Sequence, residues 1–295
     1  MKKIGVVGIP GSWSSERLAD ALERKTGFRL VIDMAKTFFD LRKGRVFYED
    51  VNLGTLDGLI IKKIGPEYSP DLLDRLEVLR FLSAKGLKVY SDPQKIMRVL
   101  DRLSCTVTLR LGDIPMPPTV ITEDPKSALE IIAHYRKAVL KPLYSTKARG
   151  MVIADASNGV VTCVNDFIAA GNTVMYIQKK IEMQGTKDLG ITFLGGEYLA
   201  TYARVGGRQS WNTSTANGGV YQPYTPSNEI IALARKAQAL FELDFTCVDV
   251  AETSEGALVF EVSAFGGFRG LLDANGIDAA ELYADHVLKK VGDGK

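Results

Sequence analysis

Cysteine is scarce: the 295 residues hold three, Cys105, Cys163 and Cys247. They are odd in number, far apart and without a C-x-x-C pair. That excludes a disulfide framework and a thiolate zinc site, and fits reduced thiols buried as small hydrophobes. The two histidines, His134 and His286, fall on amphipathic helical patterns and are read as structural or surface residues with no catalytic role. No apolar run approaches the roughly eighteen residues that a spanning helix requires. The opening MKKIGVVGIPG is basic, then apolar, but glycine and proline interrupt it and no signal-peptide cleavage pattern follows. The expectation is a cytoplasmic chain with no membrane partner. Neither sign of charge is in excess, since 37 basic residues face 35 acidic ones for a net charge of +2. No global field therefore points to nucleic acid, and any anion site must be local. Internal repeats and low-complexity segments are absent as well.

What is present is an ordinary globular composition, 46% hydrophobic and 24% charged, in a chain long enough for two or three domains. Lys3 to Val7 reads as a buried strand, followed by the loop Gly8 to Gly11, a helix ending near Gly27 and a second strand from Phe28 to Asp33. The glycines of that loop are not spaced as G-x-G-x-x-G, which argues against a nicotinamide oxidoreductase. Gly58 to Lys63 is a third strand whose carboxyl end carries Lys62 and Lys63, and a helix then runs from Ser69-Pro70-Asp71 to Lys85. This predicts an open α/β domain over 1–91 with its crevice at the strands' carboxyl ends. Asp92-Pro93 begins a helix through Arg110, and Asp124-Pro125 begins another. Ala138 to Lys141 and Met151 to Ala154 are strands flanking the loop PLYSTKARG, a basic hairpin tip able to close on phosphate. Val174 to Ile181, Asp188 to Leu194 and Tyr198 to Val205 are expected in one antiparallel sheet, with Gly206 to Gly219 a polar loop bordering the site. A helix is expected from Pro226-Ser227 to Leu243, and a last one from Asp278 through Lys290.

The stretch FTCVDVAETSEGALVFEVSAFGGF, Phe245 to Phe268, carries the most chemistry. Val248 and Val250 alternate with Asp249, and Phe260 and Val262 alternate with Glu261, the period of half-buried strands. With Gly256 in the positive-φ position of a three-residue turn, Val248 pairs with Val262, Val250 with Phe260, and Asp249 with Glu261. A slip of one residue would set Phe260 against Asp249, so the apolar pattern selects this register. Opposed carboxylates repel unless a cation lies between them. Oxygen ligands so arranged suit Mg²⁺, which takes one or two carboxylates and completes its shell with phosphate and water. A solvent-side hairpin with scattered acids is the plain alternative.

The strings DRLSCTVTLR, IPMPPTV, VLKPLYSTKARGM, YIQKK, FTCVDVAET and FEVSAFGGFRG, in this order, resemble the RimK-like ATP-grasp ligases, and among them the ATP-grasp enzymes of the so-called GAK system. The resemblance spans nearly the whole chain. It implies an α/β and α+β ATP-grasp fold: a Rossmann-like pre-ATP-grasp domain over 1–91, a central and lid subdomain over 92–177, and an antiparallel-sheet subdomain with the metal site over 178–295. It implies ATP with Mg²⁺, Mn²⁺ being an alternative, activating a carboxylate as an acyl phosphate that an amine attacks, with ADP and phosphate released. The carboxylate and amine are carried by small molecules, peptides or proteins. By resemblance Lys141 reaches the phosphates and Arg102 stands where the family has another phosphate lysine. Ser145, Thr146, Lys147 and Gly150 belong to a mobile flap. Gln178, with the backbone at Lys179 and Lys180, forms the adenine hinge, Asp188 lies nearby, and Arg204 faces the triphosphate. Lys141 and Arg204 are the catalytic pair, and Asp249, Glu261 and Ser263 the metal ligands. An HprK-like kinase and a small companion protein are implied as partners, and a homo-oligomer is open.

The chain also departs from the family. Glu261-Val262-Ser263 stands for Glu-Val-Asn, Asp188-Leu189-Gly190 for Asp-Ile-Arg, Asn217-Gly218-Gly219 for Arg-Gly-Gly, and Lys179 for an acidic hinge residue. Two guanidinium groups and an amide ligand are thereby lost, and each would have stabilised phosphoryl-transfer charge. The alternative to a ligase is accordingly an ATP-binding regulator or scaffold with weakened catalysis.

Overall fold

The computed structural model describes residues 1–183, 185–207, 212–213 and 218–292. In chain order the elements are β1 (Ile4–Val7), α1 (Trp13–Thr26), β2 (Val31–Ile32), β3 (Thr37–Asp40), β4 (Arg45–Tyr48), β5 (Val51–Asn52), β6 (Gly58–Ile61), α2 (Asp71–Ala84) and β7 (Val89–Tyr90). Then come α3 (Pro93–Leu100), α4 (Arg102–Leu111), β8 (Thr119–Thr122), α5 (Pro125–Tyr135), β9 (Lys137–Lys141), β10 (Val152–Asp155), α6 (Val160–Ala169) and β11 (Met175–Lys179). The chain closes with β12 (Lys187–Leu194), β13 (Glu197–Val205), β14 (Val220–Pro223), α7 (Asn228–Ala239), β15 (Phe245–Thr253), β16 (Gly256–Ser263), α8 (Phe268–Asn275) and α9 (Ala279–Gly292).

The first sheet is parallel in the order β2-β1-β6-β7. Its central strands IGVV and GLII are buried at every position, as a parallel sheet covered on both faces requires. One face packs Leu18, Ala19 and Leu22 of α1 together with Tyr283 and Val287 of α9. The other packs Leu72, Leu76 and Leu79 of α2. Between β2 and β6 the crossover is the small antiparallel sheet β3-β4-β5, a segment for which the sequence pattern predicts no element.

The expected single helix from Asp92 to Arg110 is two. Asp101 breaks it in an extended conformation and caps α4, its carboxylate accepting the amides of Leu103 and Ser104. The break sets Arg102 in the first turn of α4, where its own amide donates to Leu143 O at the base of the flap. The strands expected in one antiparallel sheet divide between two. One is ordered β10-β9-β11-β8 and backed by α5 and α6, the other β14-β13-β12-β15-β16. The helix begun at Ser227 ends at Ala239, short of Leu243. Cys105 and Cys247 are buried, but Cys163 is only half-buried. Most of the 206–219 loop, including Asn217, lies outside the described residues.

Candidate active site

The central hairpin of β15 and β16 holds Asp249 directly opposite Glu261, and Val248 opposite Val262. The route to that register differs from the expected one. The turn is one residue shorter, with Thr253 paired to Gly256, and a bulge beyond Asp249 makes Val250 pair with Val259. Phe260 is the extra residue. It is not in the apolar pair with Val250, and its ring centroid lies 5.2 Å from Lys141 Nζ. Turn and bulge offset one another, so the carboxylates stay opposed.

Each carboxylate already has a guanidinium. Arg204, directly across β13 from Asp188 on β12, donates through Nε to both Asp188 oxygens at 3.1 and 3.2 Å and brings Nη2 to 2.8 Å from Asp249 Oδ2. Burial alone would lower the Arg204 pKa, but Asp188 and Asp249 overcome it and hold the group charged. Burial pushes the Asp249 carboxyl up to about 7, against the pull of Arg204 and with Glu261 and Asp188 adding to the rise. Arg102 donates to Glu261 Oε2 at 3.1 Å and to Pro142 O at 3.1 Å, and its second terminal nitrogen lies 3.4 Å from Ser145 Oγ. It thus ties the loop after β9 to the hairpin of β15 and β16. Lys141, at the end of β9, is buried and donates to Gln178 Oε1 at 2.6 Å. Burial, then Arg102, lowers its pKa to about 7 against the pull of Glu261 and Asp249.

Three placements add to what the resemblance implies. Asp188 lies in the carboxylate–guanidinium cluster, on β12, which belongs to a different sheet from β11. Arg204 is shared between two carboxylates and so does not stand as an open cation. The amides of Lys179 and Lys180 are donated within the fold, to Pro118 O and Lys137 O. The Gln178 side chain lies in a buried network, its amide nitrogen donating to Thr119 Oγ1. On the flap Ser145 is half-buried, Thr146 Oγ1 accepts from Arg149, and Lys147 and Gly150 both have positive φ. Ser263 lies two residues from Glu261, but its hydroxyl accepts the amides of Phe265 and Gly266, each at 3.2 Å. Losing a hydrogen bond of this kind costs about 1 kcal/mol. Ser263→Ala should therefore lower stability to chemical denaturation by about that amount; an unchanged midpoint would show that the bonds to the turn contribute nothing.

Three features of the site escaped the sequence reading. The departure at Gly190 has a physical cause, because a Cβ there would fall 2.3 Å from the Tyr202 ring. Tyr202 is buried, and its hydroxyl lies 3.3 Å from Cys247 Sγ, with Cys247 Sγ 3.8 Å from Asp249 Oδ1. Where the family pattern has an arginine, this chain has Gly190, and the Tyr202 ring fills the space beside it. The third feature is Lys62, whose position at a strand end was legible but whose reach was not. It is 1% exposed, donates to Phe265 O at 2.9 Å and sits 3.7 Å over the Phe268 ring. The carboxyl end of β6 is thereby pinned to the turn beyond Glu261. Burial, then Lys63, lowers the Lys62 pKa to about 7. A lysine depressed in the folded state contributes stability present above its unfolded pKa and lost as pH falls through 7. Lys62→Met should therefore gain melting temperature over the parent as pH falls from 9 to 6, and a gap constant with pH would rule this out.

A model of the RimK-like ATP-grasp domain matches residues 93–287. The tetrahydromethanopterin:alpha-L-glutamate ligase of Methanosarcina acetivorans is 23% identical over 321 residues, covering 97% of this chain and 99% of that one. A probable alpha-L-glutamate ligase of Haemophilus influenzae is 23% identical, covering 97% of each. Among solved structures, ATP-grasp ligase PsnB complexed with a phosphomimetic variant of its minimal precursor, Mg and ADP superposes with a TM-score of 0.77 at 16% identity, covering 98% of this chain and 99% of that chain.

Proposed function

The chain belongs to the RimK-like ATP-grasp family, and from that premise we propose the roles of its residues. It is an ATP-dependent carboxylate–amine ligase of the ATP-grasp fold. We read 1–91 as the pre-ATP-grasp domain, 92–177 as the central and lid subdomain, and 178–295 as the subdomain holding the metal site.

One observation carries the assignment of roles: Asp249 and Glu261 face each other across β15 and β16, ringed by Arg204, Arg102 and buried Lys141. Among the described residues no three acidic, histidine or cysteine side chains gather as a complete metal site. Two carboxylates fit Mg²⁺, or Mn²⁺ in its place, when phosphate oxygens and water complete the shell. When bound, ATP would supply the phosphoryl group that activates the substrate carboxylate as an acyl phosphate, with ADP leaving, and the metal would neutralise charge on the phosphate oxygens. The chain's own residues do the rest. Asp249 and Glu261 hold the metal; Lys141 and Arg102 hold phosphate oxygens; Arg204, braced by Asp188, orients Asp249. Ser145, Thr146, Lys147 and Gly150 close over the phosphates, and Gln178 with the backbone at Lys179 and Lys180 borders the adenine. Ser263 braces the turn beyond Glu261 and supports the metal side indirectly.

Relatives named for glutamate and a relative complexed with a precursor support an acceptor that is an amino acid, a peptide or a protein. The resemblance to GAK-system enzymes supports an HprK-like kinase and a small companion protein as partners, in the cytoplasm. Release of ADP should appear with glutamate or with peptides supplied as paired carboxylate and amine donors, and should vanish when either donor is withheld. A second reading, an ATP-binding regulator, is favoured by the Tyr202 ring filling the space beside Gly190. It would be chosen by ATP binding without ADP release from any amino acid or peptide pool.

A further inference from the structure

The carboxyl end of β6 carries two lysines, and only the first is spent on holding the fold. Lys62 is tied to Phe265 O, whereas Lys63 is half-buried and donates to Ser12 Oγ at 2.8 Å. Lysines drawn out of water are ordinarily paired. Among the described residues Lys63 has no ion pair. The charge that acts on it is another cation: burial, then Lys147 on the loop after β9, lowers its pKa. Carboxylates on the adjoining helix are engaged elsewhere. Glu16, in the first turn of α1, accepts the Gly11 amide at 2.6 Å and pairs with Arg29.

Topology puts Lys63 where a parallel sheet takes its ligand. The chain runs from β1 to β2 on one side and from β6 to β7 on the other, so the crevice opens beyond the carboxyl ends of β1 and β6. Lys63 follows β6. Ser12 is the residue before α1, yet its hydroxyl makes no cap bond and receives Lys63 instead. The same connection reaches the metal side, since Tyr68 lies edge-on to Phe265 with ring centroids 6.4 Å apart, and Glu261 and Arg102 both act on its hydroxyl.

We propose that Lys63, its ammonium fixed by Ser12, binds the substrate carboxylate that is to be activated, an inference that rests on the ligase reading of this site. A nucleotide phosphate is the other anion to consider. The cations assigned to phosphate form a group of their own, in which Arg102, Glu261 and Asp249 act on Lys141. Lys63 is acted on from the loop after β9 and not by that group. It therefore serves a second anion, and the reaction brings one. A carboxylate must come against a phosphate, the two repel, and a cation on the carboxylate's side offsets the repulsion. The carboxylate has to keep its charge to attack, so Lys63 acts as a hydrogen-bond donor and transfers no proton.

Trp13, next to Ser12 and with the Arg269 guanidinium 3.9 Å over its ring, reports on the crevice. In the full chain carrying Trp211→Phe it is the one tryptophan left. The test titrates its fluorescence with glutamate, and then with a pool of the other non-aromatic amino acids, in the presence of Mg²⁺ and a non-hydrolysable ATP analogue. A saturable change is expected. Lys63→Gln should weaken it about tenfold or more while affinity for the ATP analogue moves by less than about twofold. Ser12→Ala should weaken it in the same direction, and Lys63→Arg, which keeps the charge, should recover part of the loss. Equal amino-acid affinity in the parent and Lys63→Gln, or no saturable change with any amino acid, would overturn the proposal. So would a loss that falls on the ATP analogue instead, which would assign Lys63 to the nucleotide. ADP release separates this from the ligase reading. Release with an unchanged half-saturating amino-acid concentration in Lys63→Gln would remove Lys63 while the ligase stands. Amino-acid binding that depends on Lys63, with no ADP release from any pool, would sink the ligase reading and leave a carboxylate held at Lys63.

Discussion

Asp249→Asn should lower substrate-dependent ADP formation by about 100-fold or more, since removing one preorganised charge-stabilising group at a reacting centre costs about 3 kcal/mol in the transition state. The amide keeps the shape of the carboxylate and one acceptor oxygen but loses the charge a divalent cation needs. Arg204 keeps Asp188 as its partner, so the change need not unfold the sheet. A carboxyl whose folded pKa is raised contributes stability below its unfolded value that is lost as pH rises through the folded value, here about 7. At pH 8 the charged carboxylate therefore burdens the nucleotide-free fold, and Asp249→Asn should melt no lower than the parent. Wild-type ADP release in the variant would remove Asp249 from the metal site. A collapse in melting temperature at pH 8 would mean that its role is to hold Arg204.

The hairpin was legible because alternation and a glycine turn limit the ways to pair two strands. Two local deviations, the shorter turn and the bulge at Phe260, were not legible, and only their cancellation kept Asp249 against Glu261. Capping chemistry was readable at Asp92 and Asp124, where proline follows. At Asp101 the apolar periodicity runs on through the cap, and the break went unseen. Ion pairs across elements were illegible for a simpler reason: Arg102 and Glu261 are 159 positions apart, and nothing local at either says that they meet. The same holds for Tyr202, whose ring accounts for the glycine at position 190 only once β12 and β13 are laid side by side. The β3-β4 hairpin was available to pattern reading, since TFFD and RVFY flank a turn ending in Gly44, but its exposed Phe38 gives no sign in sequence of facing outward.

Lys141→Met should weaken ATP binding about tenfold or more, the loss expected for a charge-assisted hydrogen bond of roughly 1.5 to 3 kcal/mol, and it should also change the protons that accompany binding. In the nucleotide-free protein the ammonium has a neutral amide oxygen at 2.6 Å and, among the described residues, no ion-paired carboxylate, and burial with Arg102 nearby lowers its pKa to about 7. At pH 8 most of the population is therefore uncharged. Phosphate oxygens favour the ammonium, so nucleotide binding at pH 8 should take up a proton at this side chain, and affinity should fall as pH rises from 7 to 9. Calorimetric titrations at pH 8 in two buffers of different ionisation enthalpy give the proton count directly. It should approach one in the parent and fall by that amount in Lys141→Met, whose affinity should also vary less with pH. The nucleotide-free variant should in turn be the more stable protein at pH 6, because a depressed lysine loses its contribution as pH falls through 7. Unchanged ATP affinity in Lys141→Met, or the same proton uptake in both proteins, would place the phosphates away from β9 and leave Arg102 as the cation that receives them.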